Sequence, residues 1–111
     1  MDIYLLLKQN FVPNDVIRNW TPYHGYKGND LIVKNISSNV ISLIFSENQN
    51  KEVVVPYREL EGIMKLWPKI LSGEIKRYQY THKTPEVESS PFYYSRYCLD
   101  ILKALSDKGV I

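Results

Sequence analysis

The segment between Gly62 and Pro85 carries residue types that bind nucleic acids. It holds five lysines and arginines against one acidic residue, Glu74, a net charge of about +4, whereas the whole chain has +2. Aromatic and imidazole side chains lie between these basic residues. Lysine and arginine neutralise phosphates, and aromatic rings stack on bases. We therefore predict a non-enzymatic nucleic-acid-binding surface made of Lys65, Lys69, Lys76, Arg77, Tyr78, Tyr80, His82 and Lys83, extended by Arg96 from a Phe- and Tyr-rich stretch.

Two other interpretations of these residues stay open. Lys65 and Lys69 are four positions apart, so they can be the solvated face of a helix while the tyrosines cover a small core. Tyr, Trp and Arg also dominate protein–protein interfaces. The chain can then be a small protein-binding inhibitor or adaptor of a phage or mobile element, anchored by exposed tyrosines and Trp20. The loop 23–29, which contains Tyr23 and His24, is either a packed flap or a binding surface.

A third alternative is a magnesium-dependent nuclease. Glu74-Ile75-Lys76 matches the Glu-x-Lys half of such a site, in which the carboxylate holds Mg²⁺ and the lysine helps to activate water. Asp30, which opens a strand, is the candidate for the second carboxylate. Cys98 lies on an apolar helix stripe, where a thiol is an inert hydrophobe, and the two histidines lack metal-ligand spacing. We predict no catalytic residue, no metal site and no cofactor.

Composition sets the class of molecule. The chain has 111 residues, 44% hydrophobic and 23% charged, which suits one folded domain over 1–111. Cys98 is the only cysteine, which favours a reducing cytoplasm. No apolar run approaches the roughly 20 residues of a transmembrane helix. We expect a soluble cytoplasmic protein without a membrane partner, and the sequence does not set its oligomeric state.

Hydrophobic spacing in the first half predicts two helices followed by three strands. Asp2 is a candidate N-cap for a helix over the first ten residues, and Asn14 for a second short helix that ends at Thr21-Pro22. Short β-branched runs predict strands at 31–36, 40–46 and 51–56, with turns at 37–39 and 48–50. These strands form a three-stranded antiparallel meander.

The second half predicts two longer helices. Leu60, Ile63, Trp67 and Ile70 recur at helical spacing over about 57–71, with a kink or break at Pro68 and a cap at Gly73. Residues 74–80 read as an edge strand or extended connector, and 81–89 as an exposed loop. Ser90 and Pro91 predict the start of a final helix whose Asp100 faces water. The fold class is α+β: two short N-terminal helices, a meander, a kinked helix and a C-terminal helix.

The order of these patterns resembles a small accessory module of prokaryotic restriction and defence-type proteins. The residues that carry the resemblance are Val53 to Pro56, Glu59-Leu60, Trp67, Ser72 to Arg77 and Tyr97 to Leu102, within about 31–105. The resemblance implies a DNA-recognition or assembly module without catalytic residues of its own. It points to Lys76 and Arg77 as the contact step. The loop Thr81 to Ser90 and the N-terminal helices depart from the pattern.

Overall fold

The computed structural model describes residues 2–111 and has an α+β architecture of four helices, a four-stranded sheet and a two-stranded sheet. The elements in chain order are α1 (Ile3–Asn10), β1 (Val16–Ile17), β2 (Trp20–Thr21), β3 (Gly25–Tyr26), β4 (Leu31–Ile36), β5 (Val40–Phe45), β6 (Asn48–Pro56), α2 (Tyr57–Leu71), α3 (Arg77–Thr81) and α4 (Ser95–Asp107). The predicted α+β class is confirmed, and the details differ as follows.

The predicted meander is the centre of the larger sheet. Its antiparallel order is β1-β4-β5-β6, so the three predicted strands are neighbours and β1 adds a fourth. One face is buried through Val33, Ile41, Leu43 and Val55, as the alternation of apolar residues requires. The predicted turn at 48–50 is wrong because Phe45 already pairs with Asn48, which leaves Ser46-Glu47 as the turn.

The second predicted helix is wrong, because its residues form β1 and β2. Val16 and Ile17 pair with Ile32 and Leu31 of β4. The preceding Asn14 has a φ of 79° and donates its backbone N–H to the carbonyl of Val33 at 2.7 Å. Helical spacing over seven residues stabilises little by itself, so pairing with an existing sheet edge prevails. β2 then forms a hairpin with β3.

The helices α1 and α2 are confirmed. The Asp2 carboxylate accepts the N–H of Leu5 at the start of α1. The helix α2 continues through Pro68 to Leu71, so the predicted break does not occur, and Gly73 follows with a φ of 78°. That left-handed conformation favours glycine and ends the helix, as predicted.

The segment between α2 and α4 differs from the prediction. Residues 77–81 form the short helix α3 in place of an edge strand. The final helix begins at Ser95, four residues later than the predicted first helical residue, Pro91. Ser90 does not cap it because its hydroxyl accepts the N–H of Thr84 at 2.9 Å and donates to the carbonyl of Val87 at 2.7 Å. Ser90 therefore fixes the preceding loop.

The helices pack on one side of the sheet and on each other. α4 contacts α2, β1 and β2, while α1 contacts α2 and β4. Cys98, Ile101, Leu102 and Leu105 of α4 are buried, which confirms most of the predicted stripe, but Asp100 is buried as well and does not face water. Within residues 2–111, no helix combines the length and the apolar composition needed to cross a membrane.

Candidate functional site

A cleft of ≈ 310 Å³ lies where the β2–β3 hairpin, α3 and the first turn of α4 meet. Its walls come from parts of the chain that are far apart in sequence. The lining residues are Asn19, Thr21, Pro22, Tyr23 and His24 from the hairpin side, Arg77 and Tyr80 from α3, and Ser95, Arg96 and Leu99 from α4. This volume is within the range of clefts that hold small ligands.

The hairpin wall is held against α4 by backbone and side-chain contacts. The N–H of Trp20 donates to Oδ1 of Asp100 at 2.8 Å, and the hydroxyl of Tyr26 donates to Asp107, about two helical turns further along α4. The ring of Trp20 packs on Trp67 of α2 with 5.7 Å between ring centroids. In the turn, the N–H of His24 donates to the hydroxyl of Thr21 at 3.1 Å. The turn is therefore anchored at both ends.

The opposite walls are tied together by α2. The buried Glu59 accepts the N–H of Tyr94, the residue before α4, at 2.9 Å. This hydrogen bond connects α2 to the start of α4. The N–H of Phe92 donates to the carbonyl of Tyr80 at 2.7 Å, which joins α3 to the same segment. These contacts hold the backbone segments that carry Arg77 and Arg96 beside the same cleft.

Three polar side chains that line the cleft have no hydrogen-bond partner within residues 2–111. They are the amide of Asn19 and the hydroxyls of Tyr80 and Ser95, whose residues are 7%, 2% and 7% exposed. The only buried side-chain polar atom in this range that is both unpaired and fully shielded is Oδ2 of Asp100. The three groups therefore keep access to solvent, and the cleft provides it. Buried polar groups are normally paired, so these three can bind a ligand.

The cleft is electropositive. Arg77 and Arg96 line it, and no Asp or Glu does. Of the other three clefts described, one combines Arg58 with Asp2 and Glu61, one combines Lys65 and Arg58 with two glutamates, and one includes Asp107. Burial raises the pKa of the Tyr80 hydroxyl, nearby Tyr23 raises it further, and Arg77 lowers it. The hydroxyl of Tyr80 is thus neutral and lies close to the side chains of Tyr23 and Arg77.

The structure brings together three of the nine predicted binding residues, Arg77, Tyr80 and Arg96. The ring of Tyr80 is buried, so the stacking role that the sequence suggested for it is wrong; only its hydroxyl is available. Lys65 lines a separate cleft with Glu61 and Glu88. The remaining predicted residues, Lys69, Lys76, Tyr78, His82 and Lys83, are exposed and do not line the cleft.

The hairpin side was absent from the predicted binding set. Asn19, Thr21, Tyr23 and His24 precede the basic segment by some forty residues or more, and only the glycine-containing loop marked Tyr23 and His24 as a possible flap or surface. The loop contacts α4 through the hydrogen bond from Tyr26 to Asp107, while Tyr23 is 59% exposed. No local pattern distinguishes Ser95 from other helical serines.

The residues of the nuclease alternative do not form a metal site with other ligands. Oδ1 of Asp30 accepts the N–H of Asn19 at 3.2 Å, and Glu74 is exposed after the end of α2. In the part of the chain that is described, no three His, Cys, Asp or Glu side chains come close enough to hold a metal ion. Cys98 is fully buried, and burial raises the pKa of its thiol.

Comparisons with known proteins leave the cleft as the main guide to function. No family model, no curated protein and no solved structure matches the chain. The resemblance to restriction and defence-type modules therefore stays a prediction, and the function has to be inferred from the geometry and charge of the residues around the cleft.

Proposed function

We propose that this protein is a non-enzymatic module that binds nucleic acid. The cleft between the hairpin, α3 and α4 contacts the phosphates of the nucleic acid. The observation that carries the proposal is the placement of Arg77 and Arg96 on one cleft without a lining carboxylate. Two guanidinium groups on one concave surface suit phosphate oxygens, which accept their hydrogen bonds in pairs.

Exposed residues beside Arg77 extend the positive surface along the chain. Residues 76–83 include Lys76 and Lys83 and no acidic residue. Tyr78 is 59% exposed on α3 and can stack on a base. A strand that enters the cleft at Arg77 therefore meets further positive charge and a free ring on the same segment. Lys65 and Lys69 belong to α2, where Lys65 lies beside two glutamates, and we leave them outside the proposed surface.

Binding of a fluorescent single-stranded oligonucleotide, measured by anisotropy at 50 and 200 mM salt, tests the proposal. We expect the double variant Arg77→Gln, Arg96→Gln to lose about tenfold or more in affinity at low salt. The slope of its plot of log affinity against log salt concentration should be less negative by roughly 1.4, since each phosphate contact on a single strand contributes about 0.7 to that slope.

The matched control is Lys65→Gln, Lys69→Gln, which removes the same charge from exposed positions of α2. Its affinity should stay within about threefold of the parent protein. Absence of binding at 50 mM salt contradicts the proposal. An equal loss in the two double variants also contradicts it, because it would mean that only total charge matters.

A second candidate, protein binding, is favoured by the exposed tyrosines. Tyr93 is 81% exposed and Tyr23 and Tyr78 are 59% exposed, and such rings are frequent interface anchors. Trp20 is not a free anchor, because it packs on Trp67. If this candidate holds, Tyr78→Ala weakens capture of a specific partner more than Arg77→Gln does. The nuclease alternative is tested by incubation with Mg²⁺, where cleavage that Glu74→Ala abolishes would establish it.

A further inference from the structure

The start of α4 offers hydrogen-bond donors to the cleft. The N–H groups of Ser95, Arg96 and Tyr97 donate to no group within residues 2–111, whereas the N–H of the next residue, Cys98, donates to the carbonyl of Tyr94 at 3.0 Å. Ser95 and Arg96 of this turn also line the cleft. Free N–H groups and the helix dipole make the first turn of a 13-residue helix attractive to an anion.

The unpaired side chains of the cleft supply an independent indication of a ligand. Asn19, Tyr80 and Ser95 are each more than nine-tenths buried, line the cleft and lack a partner within the described range. Their amide and hydroxyl groups can all donate hydrogen bonds. Residues with donor side chains from the segment before β2, from α3 and from α4 thus line the same cleft as two arginines and no carboxylate, an arrangement that suits a phosphate.

Two carboxylates lie near the start of α4 but do not line the cleft. Glu59 is occupied by the N–H of Tyr94, and Asp100 by the N–H of Trp20. Arg96 lies near enough to Asp100 to affect its titration, so part of the Arg96 charge is balanced internally. Arg77 has no such carboxylate partner among the ion pairs of residues 2–111, which are Lys34–Glu52 and Lys103–Asp107. Among the residues that line the cleft, the charged side chains are those of Arg77 and Arg96.

The size of the cleft and the position of Tyr23 limit what accompanies the phosphate. A volume of ≈ 310 Å³ suits one small unit, not a length of double helix. Tyr23 lines the cleft and has more than half of its surface exposed, so its ring offers a face to a base. Bases inside a duplex are stacked on one another, and only an unpaired base has a free face.

We infer that the cleft holds one unpaired nucleotide, with its phosphate at the first turn of α4 and its base on Tyr23. This assignment rests on the proposed function and specifies its ligand as single-stranded. Phosphate oxygens accept hydrogen bonds from the N–H groups of Ser95 and Arg96 and from the side chains of Tyr80 and Ser95. Arg77 and Arg96 supply the positive charge. A free mononucleotide has the same chemistry as one unit of a strand, so the test separates these two sources.

Amide NMR spectra of the full chain, recorded with thymidine 5′-monophosphate, thymidine or inorganic phosphate, test the assignment. We expect the monophosphate to shift the amides of Ser95, Arg96 and Tyr97, and thymidine alone to leave them unchanged. Inorganic phosphate should shift the same amides at higher concentration, because it lacks the base. The double variant Tyr80→Phe, Ser95→Ala removes two hydroxyl groups and should lower the affinity for the monophosphate by roughly tenfold or more.

Matched variants distinguish a ligand site from a general effect on the fold. Tyr4→Phe, Ser106→Ala makes the same chemical changes on α1 and α4 outside the cleft and should leave the affinity unchanged. Tyr23→Ala should weaken the binding of the monophosphate and leave the binding of inorganic phosphate unchanged. Tyr93 is an exposed tyrosine that does not line the cleft, so Tyr93→Ala should weaken the binding of neither ligand. Equal effects in the cleft and control variants overturn the assignment.

The outcomes for the oligonucleotide and the mononucleotide are separable. If the oligonucleotide needs Arg77 and Arg96 but the monophosphate leaves the α4 amides unchanged, this assignment is overturned and the proposed function stands. If the monophosphate binds as described and no oligonucleotide binds, the nucleotide site stands with a free nucleotide as its ligand, and the proposed function is overturned. Preference for a duplex over a single strand overturns the assignment directly.

Discussion

The backbone N–H of Trp20 donates to Oδ1 of Asp100 at 2.8 Å, across a sequence separation of 80 residues. Asp100 is 1% exposed, and its second oxygen, Oδ2, has no partner among residues 2–111. Asp100 thus binds the hairpin backbone to α4 while part of its own hydrogen-bonding capacity is unused. The hairpin is one wall of the cleft, so this bond links the stability of the fold to the shape of the site.

Stability should fall as the pH rises through the titration of Asp100. Burial raises its pKa from the ordinary 3.8 to about 7; the Trp20 N–H and then Arg96 oppose this shift, and Asp30 adds to it. Between about pH 4 and 7 the folded state therefore binds more protons than the unfolded state, and the free energy of unfolding decreases with pH, by up to about 4 kcal/mol. In the Asp100→Asn variant, the free energy of unfolding measured by urea titration should no longer decrease between pH 5 and pH 8.

Asp107→Asn is the control for the pH experiment. Hydrogen bonds from Lys103 and then Tyr26 lower the pKa of Asp107, so its stabilising effect is present above its ordinary 3.8 and is lost only as the pH falls below that value. The difference in stability between pH 5 and 8 should survive in this variant. If Asp100→Asn keeps the full difference, another group causes it.

Removal of the Glu59 carboxylate should destabilise the start of α4. Glu59 is 8% exposed and accepts the N–H of Tyr94, so Glu59→Ala leaves that donor without a partner at a cost of about 1–3 kcal/mol. Glu59→Gln keeps an acceptor oxygen and should cost less than half as much. Chemical denaturation measures both, and equal costs for the two variants would contradict a role for this hydrogen bond.

Gly62 should not tolerate a methyl group, although it lies within α2. A Cβ at this position would lie 2.3 Å from Cε1 and 2.7 Å from Cζ of the buried Phe92 ring. Alanine favours helix by up to about 1 kcal/mol over glycine, but forced packing in a core costs about 1–3 kcal/mol. We expect Gly62→Ala to lower the free energy of unfolding, and Phe92→Leu to reduce that penalty in the double variant. A stabilised Gly62→Ala protein would refute this contact.

The thiol of Cys98 should be unreactive while the protein is folded. It is fully buried, and burial raises its pKa, with Glu59 and then Asp100 adding to the effect, so little thiolate forms. A thiol reagent should modify native protein at the rate of unfolding and denatured protein at once. Rapid modification of the native state at pH 8 would show that α4 separates from α2 more readily than the packing indicates.

Local sequence patterns were sufficient where an element is stabilised by its own residues. The strands at 31–36 and 40–45 follow from β-branched alternation, and α2 follows from an apolar stripe that ends before Gly73. The strand β1 could not be predicted because it is stabilised by its pairing with β4, while the local spacing of Val16, Ile17 and Trp20 is helical. Burial of Asp100 and Glu59 likewise depends on backbone groups of distant residues.

The difference between local patterns and contacts of distant residues also explains which part of the site was predictable. Arg77 and Arg96 were identified because they lie in or near a stretch with unusual charge and aromatic content. Asn19 and Ser95 carry no such signal; their unpaired polar groups become visible only when the cleft is assembled. The exposed ring assigned to Tyr80 was wrong because a five-residue helix turns alternate tyrosines to opposite sides, leaving Tyr78 outside and Tyr80 inside.

The distance between Trp20 and Asp100 along the chain has a consequence for biosynthesis. At about 5–20 residues per second, a ribosome that has made Trp20 needs roughly 4–16 s to reach Asp100. Throughout that interval the hairpin lacks its contact with α4, and its Trp20 ring has no Trp67 to pack on until α2 is made. The sheet can form first on the nascent chain, and the cleft is completed only after Ser95, Arg96 and Leu99 of α4 are made.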